Sequence, residues 1–410
     1  MQVFRFFFTI LIVFEVVVGH AAEPLTFATA VEKTLRSNPD LASLPTRKLE
    51  QSARILLADL RPKATIDAQI ENALGSNVYR DLDGLEATLS LSQVIELGDQ
   101  RRKRVAAARG EMAVLDVSQT VAQLDVVAET ARRYIALASE DQQRVLAAQW
   151  LEVTQRKTVE IERRVKAARD PEVELARARI DLSRAELASR LAEDRVLVAK
   201  RKLAAMWGAS EPDFERIDAD LFNLPNLDAL QRRTEKIANS ADFLLFATEL
   251  RQREAELELA KAQARASITV SAGIRRFEAS GDHAFVAGFS MPVSSARYAK
   301  PLIVAAQARR DGLERERDAA LIKARASLFE LASRLKHAVD EARTLSDDLL
   351  PQIDAAVKAT EYAWQRGRYG YIELTEAQRE QLALRLAFIT AATNAHLYRI
   401  EIERLTGDSP

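Results

Sequence analysis

The sequence contains no cysteine, and it has only 13 glycines and 11 prolines among its 410 residues. Without cysteine the chain can form neither a disulfide nor a lipid-modified cysteine at a mature N-terminus, so packing and assembly must stabilise it. The charge is nearly balanced, because 59 Lys and Arg stand against 60 Asp and Glu. Nucleic-acid-binding proteins normally carry a basic excess, so no such partner is expected. A charged fraction of 29% with little glycine and proline favours long helices with charged outer faces.

Long apolar runs are scarce as well. The longest lies at the N-terminus, from Phe6 to Val18, and it follows Arg5 and precedes the small residues of Gly19–Ala22. This order is typical of a secretory signal peptide, so residues 1–21 are predicted to be removed on export. The alternative is an N-terminal membrane anchor, but the run is short and contains Glu15. No later run is long enough for a membrane helix, so any membrane-spanning part of the mature chain must consist of strands.

Residues that carry chemistry are equally sparse. Of four histidines, His20 leaves with the signal peptide, and His283, His337 and His396 have no second His or Cys at a metal-ligand spacing. No glycine-rich phosphate loop, nucleophile elbow or Ser/His/Asp pattern is present. The sequence therefore predicts neither an enzyme nor a resident metal or cofactor. Energy for any transport must come from a partner.

The chain contains an internal duplication. Glu174–Arg179 reappears as Glu373–Gln378 at a shift of 199 positions. The mostly apolar positions that follow step by four and three residues through four heptads in both copies, which predicts a coiled-coil seam. These positions are Ala178, Leu182, Ala185, Ser189, Ala192, Val196, Ala199, Leu203 and Met206, and then Ala377, Gln381, Leu384, Phe388, Ala391, Ala395, Tyr398, Ile402 and Leu405. Gly208 and Gly407 end the two helices at the same shift.

We interpret the chain as two structural repeats, residues 22–209 and 227–407, joined by a linker at residues 210–226. Each repeat has one very long helix, a tight turn and a returning helix. The long helices are predicted over 99–168 and 300–366, and the shorter helices before the strands over 25–37, 40–60, 227–238 and 241–264. Pro351 lies inside the second long helix and predicts a local bend there.

Each repeat also contains two segments with a period of two. They span 64–74 and 85–92 in the first repeat and, less regularly, 268–274 and 285–291 in the second. Each run is about ten residues long, the length of a tilted strand that crosses a bilayer. Alternation alone leaves open a pair of half-buried hairpins in a soluble domain, but the predicted export favours a membrane barrel. The polar positions of the first repeat then face a lumen: Asp67, Gln69, Glu71, Thr88 and Ser90.

Four strands cannot close a barrel, since the smallest barrels have about eight strands. An open sheet in lipid would leave unpaired backbone groups at its edges, which is prohibitively costly. Closure therefore requires several copies of the chain, and a dimer gives eight strands while a trimer gives twelve. A water-filled lumen favours twelve.

Several stretches resemble the TolC-type outer-membrane efflux proteins. They are Leu25–Val31 with Asn38-Pro39, Leu349–Pro351, Tyr362–Gly370 and Glu373–Arg379. Ser92–Arg101 resembles most the branch that serves cobalt–zinc–cadmium-type heavy-metal efflux, whereas Pro292–Arg297, the corresponding stretch of the second repeat, departs from the family's usual asparagine-containing loop. The resemblance extends over roughly 25–407.

The resemblance implies a mainly α chain with a small β part. It implies a homotrimer whose twelve-stranded β-barrel lies in the lipid of the outer membrane and continues as a periplasmic α-helical coiled-coil tunnel. It also implies docking of a periplasmic adaptor, with a proton-driven inner-membrane pump, at the helical turns. The turn residues concerned are Arg169, Asp170, Arg366, Gly367 and Arg368.

Glu373 and Glu376 match the acidic residues that family channels place at their constriction. For Glu373 a second role remains open, because a carboxylate in the first turn of a helix is electrostatically favourable there.

The resemblance thus favours the exit duct of a tripartite efflux system for divalent heavy-metal cations. The duct of a drug-efflux or type I protein-secretion system is an alternative with the same architecture. A soluble periplasmic coiled-coil scaffold is an alternative of another class.

Overall fold

The computed structural model describes residues 23–227, 234–293 and 295–407. The predicted signal peptide, residues 1–21, lies outside the described residues. The helix predicted over 227–238 lies partly outside them as well, and its described end forms a 3-10 turn at Thr234–Asn239.

The two halves of the chain have the same order of elements: helices, two strands, a long helix and a returning helix. In chain order they are α1 (Phe27–Ser37), α2 (Leu44–Asp59), β1 (Thr65–Glu71), β2 (Glu86–Ile95), α3 (Gln100–Lys166), α4 (Glu172–Ala204), α5 (Ala241–Gln263), β3 (Ile268–Phe277), β4 (His283–Ser290), α6 (Ser295–Thr344), α7 (Leu350–Gln365) and α8 (Tyr371–Thr406). Each strand pair is thus set between shorter helices and a helical hairpin.

The four strands form one antiparallel sheet in the order β1-β2-β3-β4. The β2–β3 pairing joins the two halves over ten residue pairs, from Glu86 opposite Phe277 to Ile95 opposite Ile268. Among the described residues, no strand pairs with the outer edge of β1 or of β4. The sheet therefore has two open edges.

The first long helix, α3, has 67 residues, which corresponds to roughly 100 Å at the α-helical rise. The second begins at Ser295, five residues before its predicted start, and it is divided into α6 and α7 by a π-helical turn at Leu345–Leu349. Pro351 follows this turn at the start of α7. Because proline has no backbone N–H, the regular hydrogen-bond pattern cannot continue there, and the N–H of Leu350 bonds to the carbonyl of Leu345 five residues earlier.

The predicted heptad seam is confirmed by burial. Ala178, Ala185 and Leu203 of α4 are almost fully buried, and so are Ala395 and Ile402 of α8. The remaining seam positions are buried or half-buried. α4 packs along α3, and α8 packs along α6 and α3. No helix among the described residues is long and apolar enough to cross a membrane.

Residues 210–226 contain little regular structure, yet they pack on the helices. Ile217 forms a parallel bridge with Leu25. The buried Tyr134 hydroxyl lies 2.9 Å from the Leu25 carbonyl oxygen and 2.6 Å from that of Asp218, and burial raises its pKa to about 12. Leu221 is buried in a cluster with residues of α3 and α8. This segment therefore contacts both hairpins.

Candidate channel lining and constriction

One face of the sheet is polar in β1 and β2. The register places Asp67 opposite Ser90 and Gln69 opposite Thr88. Since residues directly opposite each other in an antiparallel pair share a face, all four side chains lie on the same side of the sheet. Glu71, the fifth predicted lumen residue, lies there too, opposite Glu86. That this face lines a lumen remains a prediction.

Arg275 of β3 joins three strands on the polar face by hydrogen bonds. The sequence patterns did not single out this residue. Its guanidinium donates hydrogen bonds to Thr88 Oγ1 at 2.8 Å, Glu86 Oε2 at 2.7 Å and Glu71 Oε2 at 2.9 Å. The signal that could have found it is the alternation of the second repeat, in which Arg275 has the same parity as the small and polar residues between Ile268 and Ile274.

The polar face is acidic overall. On this face Asp67, Glu71 and Glu86 stand against the single cation of Arg275, which leaves a net charge of −2 per chain on the polar face. Asp67 also accepts a hydrogen bond from Ser92 at 2.6 Å. Carboxylates that line an aqueous passage raise the local concentration of cations.

The opposite face of the sheet is exposed and largely apolar, with Gln93, Arg276 and His283 as its polar residues near the two ends. Ile66 of β1 and Phe285 of β4 are 75% and 79% exposed. The other large exposed apolar residues on this face are Ile70, Leu89, Leu91, Val270, Ile274 and Phe289. On the other, polar face, the backbone of β2 lies so close to Gly273 that a Cβ there would overlap the Leu89 carbonyl oxygen. The sheet thus separates a lipid-compatible surface from a polar one.

The turn between α3 and α4 is fixed by a buried ion pair. The Arg164 guanidinium donates to both carboxylate oxygens of Asp170, at 2.7 and 2.8 Å, and these side chains are only 16% and 8% exposed. Asp170 holds the pKa of Arg164 above its usual range. The same guanidinium lies 4.9 Å from the ring centroid of Trp364 on the second hairpin.

The turn between α7 and α8 has no comparable pair among the described residues. Gly367 adopts a left-handed conformation, with φ +68°, and a Cβ there would meet nothing within 4 Å. The Glu373 carboxylate accepts a hydrogen bond from the N–H of Gly370 at 3.0 Å, which caps the start of α8. Glu373 therefore has the structural role that the sequence left open, while its side chain stays exposed.

Beyond this turn, α8 is joined to the other helices by polar contacts. The hydroxyl of Tyr371 donates to Asp181 of α4 at 2.8 Å, and Arg379 donates to the other oxygen of that carboxylate at 2.6 Å. Burial, followed by the Asp181 contact, raises the pKa of Tyr371. Lys157 of α3 donates to the side-chain oxygen of Gln378 at 3.0 Å, and burial lowers its pKa to about 8.

Glu376 lies on the exposed surface between α4 and α8. It borders a cavity of about 360 Å³ that is also lined by Arg177, Arg184 and Arg379, and by Asp181, which pairs with Arg379. The two acidic residues predicted at the constriction thus differ: Glu373 caps a helix, whereas Glu376 faces a cavity with three cations. Their place in a constriction remains a prediction.

Four of the five predicted docking residues are exposed at the turns: Arg169, Arg366, Gly367 and Arg368. Arg366 lies 4.4 Å above the ring of Tyr362. Asp170 differs, because both of its carboxylate oxygens accept from Arg164 and the group is buried. Its role in the structure is to fix the turn.

In the described ranges, no group of three or more His, Asp or Glu side chains is arranged to hold a metal ion. His283 and His337 are exposed. His396 is buried, with Nε2 3.0 Å from the Leu221 carbonyl oxygen, and burial lowers its pKa. It is therefore a neutral residue of the core at neutral pH.

The family model described as "Outer membrane efflux protein" matches residues 30–209. Two curated relatives come from Cupriavidus metallidurans strain CH34. The chain is 22% identical to the cobalt-zinc-cadmium resistance protein CzcC over 387 residues, which cover 94% of this chain and 91% of CzcC. It is 24% identical to the nickel and cobalt resistance protein CnrC over 316 residues, 74% of each chain.

The fold is that of solved channels. A crystal structure of CusC, described as forming a transmembrane channel, matches with a TM-score of 0.76 and 15% identity over 95% of this chain and 93% of that one. Residues 30–209 thus match the outer membrane efflux protein family, and the chain as a whole has the fold of TolC-type channels. The chain belongs in the outer membrane, which excludes the soluble periplasmic scaffold. It is not an enzyme. Proteins of this family form trimeric channels within tripartite efflux systems.

Proposed function

We propose that this chain is the exit duct of a tripartite, proton-driven efflux system that exports divalent heavy-metal cations. The observation that carries the proposal is the sheet. It has an apolar face, an acidic polar face and two open edges, and it lies at one end of the long helical hairpins. Such a sheet is complete only when β4 of one copy pairs with β1 of the next. Three copies then give twelve strands.

The helical hairpins provide the periplasmic part of the duct. Within the chain, α2 packs on α3, α3 on α5 and α5 on α6, so the four helices next to the sheet follow the order of the strands. α2 and α6 lie at the two ends of this row and carry exposed apolar residues such as Leu56, Leu57 and Phe329. These surfaces suit contacts between neighbouring copies. The turns, with Arg169, Arg366 and Arg368, are the proposed contact for the periplasmic adaptor, which links the duct to the inner-membrane pump.

Two observations support metal cations as cargo. The relatives of similar length, CzcC and CnrC, are named for resistance to cobalt, zinc, cadmium and nickel. The net negative charge of the polar face favours cations over anions. In this proposal the inner-membrane pump selects the cargo.

The test is the metal sensitivity of a strain that lacks this protein. We expect lower tolerance to cobalt, zinc, cadmium or nickel salts, restored by the wild-type chain on a plasmid. Asp67→Asn combined with Glu71→Gln removes charge from the polar face and should restore tolerance only in part. Asp81→Asn combined with Asp282→Asn, in the strand-connecting loops, is the matched control. Sensitivity to organic compounds or loss of a secreted protein, with unchanged metal tolerance, would favour the alternative ducts.

A further inference from the structure

The two ends of the sheet carry opposite charge. The segments that join it to the helices, counted together with the adjoining helix ends, are residues 59–63, 96–104, 264–267 and 291–300. They contain nine Lys and Arg but three Asp and Glu, a net charge of +6. The loops at the other end, residues 72–85 and 278–282, contain one Arg and four Asp and Glu, a net charge of −3. The helices extend into the periplasm, so the basic end lies at the periplasmic border of the outer membrane.

A cavity lies within this basic end. It measures about 520 Å³ and is lined by Arg61, Arg101 and Arg102 together with two carboxylate residues, Glu96 and Asp99. Both carboxylates are already paired, Glu96 with Arg104 and Asp99 with Arg102. Gln93 and Ile95 line it as well. They continue the alternation that places Leu89 and Leu91 on the apolar face of β2. Val94, of the opposite parity, lines it too, so the cavity lies at the helix end of β2 and borders the apolar face through Ile95.

Two of these three arginines have guanidinium N–H groups that are not engaged in a close ion pair. Arg61 is exposed and has no carboxylate within ion-pair distance in the described part of the chain. Arg101 has only Asp59 at 3.8 Å, with side chains 43% and 63% exposed. Arg104, just outside the lining, is by contrast fully engaged: it pairs with Glu96 at 2.6 Å and donates to two backbone carbonyls.

We propose that this cavity binds the phosphate group of an anionic phospholipid in the periplasm-facing leaflet. The planar guanidinium groups of Arg61 and Arg101 match a phosphate in both charge and geometry. A cluster of basic residues beside a membrane-spanning segment is attracted to anionic lipid. The neighbouring Ile95 and Leu97 are partly exposed and offer apolar contact for the start of an acyl chain.

Closure of the proposed ring would enlarge the basic site. With β4 of one copy beside β1 of the next, the start of α6 with Arg297 and Lys300 comes next to the α2–β1 connection with Arg61. Arg297 and Lys300 are both exposed. This addition rests on the proposed oligomeric duct, whereas the cavity with Arg61 and Arg101 belongs to one chain.

The experiment is native mass spectrometry of the purified full-length protein in detergent, titrated with phosphatidylglycerol or phosphatidylcholine. We expect tighter binding of phosphatidylglycerol, and a loss of about tenfold in its affinity in the double variant Arg61→Gln/Arg101→Gln. The matched control is Arg190→Gln/Arg195→Gln, two exposed arginines of α4, which should bind as the wild type does. Arg61→Lys/Arg101→Lys keeps the charge and should retain most of the affinity.

Three outcomes would overturn the proposal. The first is equal affinity of the wild type for the two lipids, which needs no variant to fold. The second is phosphatidylglycerol binding by Arg61→Gln/Arg101→Gln that equals that of the α4 control. The third is complete displacement of the lipid by excess inorganic phosphate, because the site would then recognise free phosphate. Failure of these tests leaves the exit-duct function untouched, since metal tolerance is measured separately.

Discussion

The two helical turns have the same topology but are stabilised differently. In the first, Ala168 adopts a left-handed conformation with φ +55°, and the buried Arg164–Asp170 pair fixes the chain around it. In the second, Gly367 adopts the same conformation with no side chain near it. A left-handed residue with a Cβ costs energy that glycine avoids, so the first turn needs its ion pair more than the second does. Duplicated sequences can thus reach one backbone path by different interactions.

The largest effect is expected from removal of the ion pair in the first turn. Asp170→Ala leaves the guanidinium of Arg164 without its partner in a poorly hydrated place, which should lower the free energy of local opening by about 3 kcal/mol. Hydrogen exchange of the amides at residues 161–168 measures this quantity. Glu172→Ala, an exposed carboxylate in the same turn, is the control. Equal protection in the two variants would mean that the pair does not fix the turn.

Exchanging the residue types at the left-handed positions of the two turns should have smaller effects. The sign of the effect is expected to differ between the two turns. Ala168→Gly is expected to stabilise the first turn by about 1 kcal/mol, and Gly367→Ala to destabilise the second by a similar amount. Ala167→Gly is the control, because Ala167 has a negative φ of −87° and glycine there gains nothing. Hydrogen exchange of the backbone amides at each turn measures the change in local stability. A loss of protection with Ala168→Gly would contradict the explanation.

The smallest effect on stability is expected at the start of α8, where the two acidic residues can be separated. Glu373→Ala removes the cap of Gly370 and should cost about 0.5 kcal/mol of local stability, whereas Glu376→Ala should cost none. If both line the constriction, Glu373→Ala/Glu376→Ala reduces cation selectivity in planar-bilayer reversal potentials. Glu380→Ala, one turn further along α8, serves as the comparison. Selectivity equal to that of this control would leave Glu373 with its capping role alone.

Patterns that repeat along the chain were readable from the sequence. The helical hairpins, the four strands and the seam through Ala178 and Ala395 follow from periodicity, and their bounds differ from the structure by a few residues. The limits of α3 agree within two residues, but α6 begins five residues early and continues through Pro301, which the sequence had placed at the helix start.

Contacts between distant parts of the chain were not readable in this way. Arg275 meets Glu71 across 204 positions, and Tyr371 meets Asp181 across 190. No periodicity relates such pairs, because they depend on which strands and helices become neighbours. The π-helical turn before Pro351 was also not predicted, because proline indicates an interruption of the helix but not the form it takes.

The open edges of β1 and β4 bear on how the protein can exist in a membrane. A lone copy would expose two rows of unsatisfied backbone groups to hydrocarbon, so its folded sheet depends on neighbours for stability. The stability of the assembled sheet then varies with the amount of chain present, as in any obligate oligomer. Dilution in lipid should therefore act on this protein as a denaturant does on a monomeric one. In the proposed ring, a defective copy would weaken both of the interfaces it occupies.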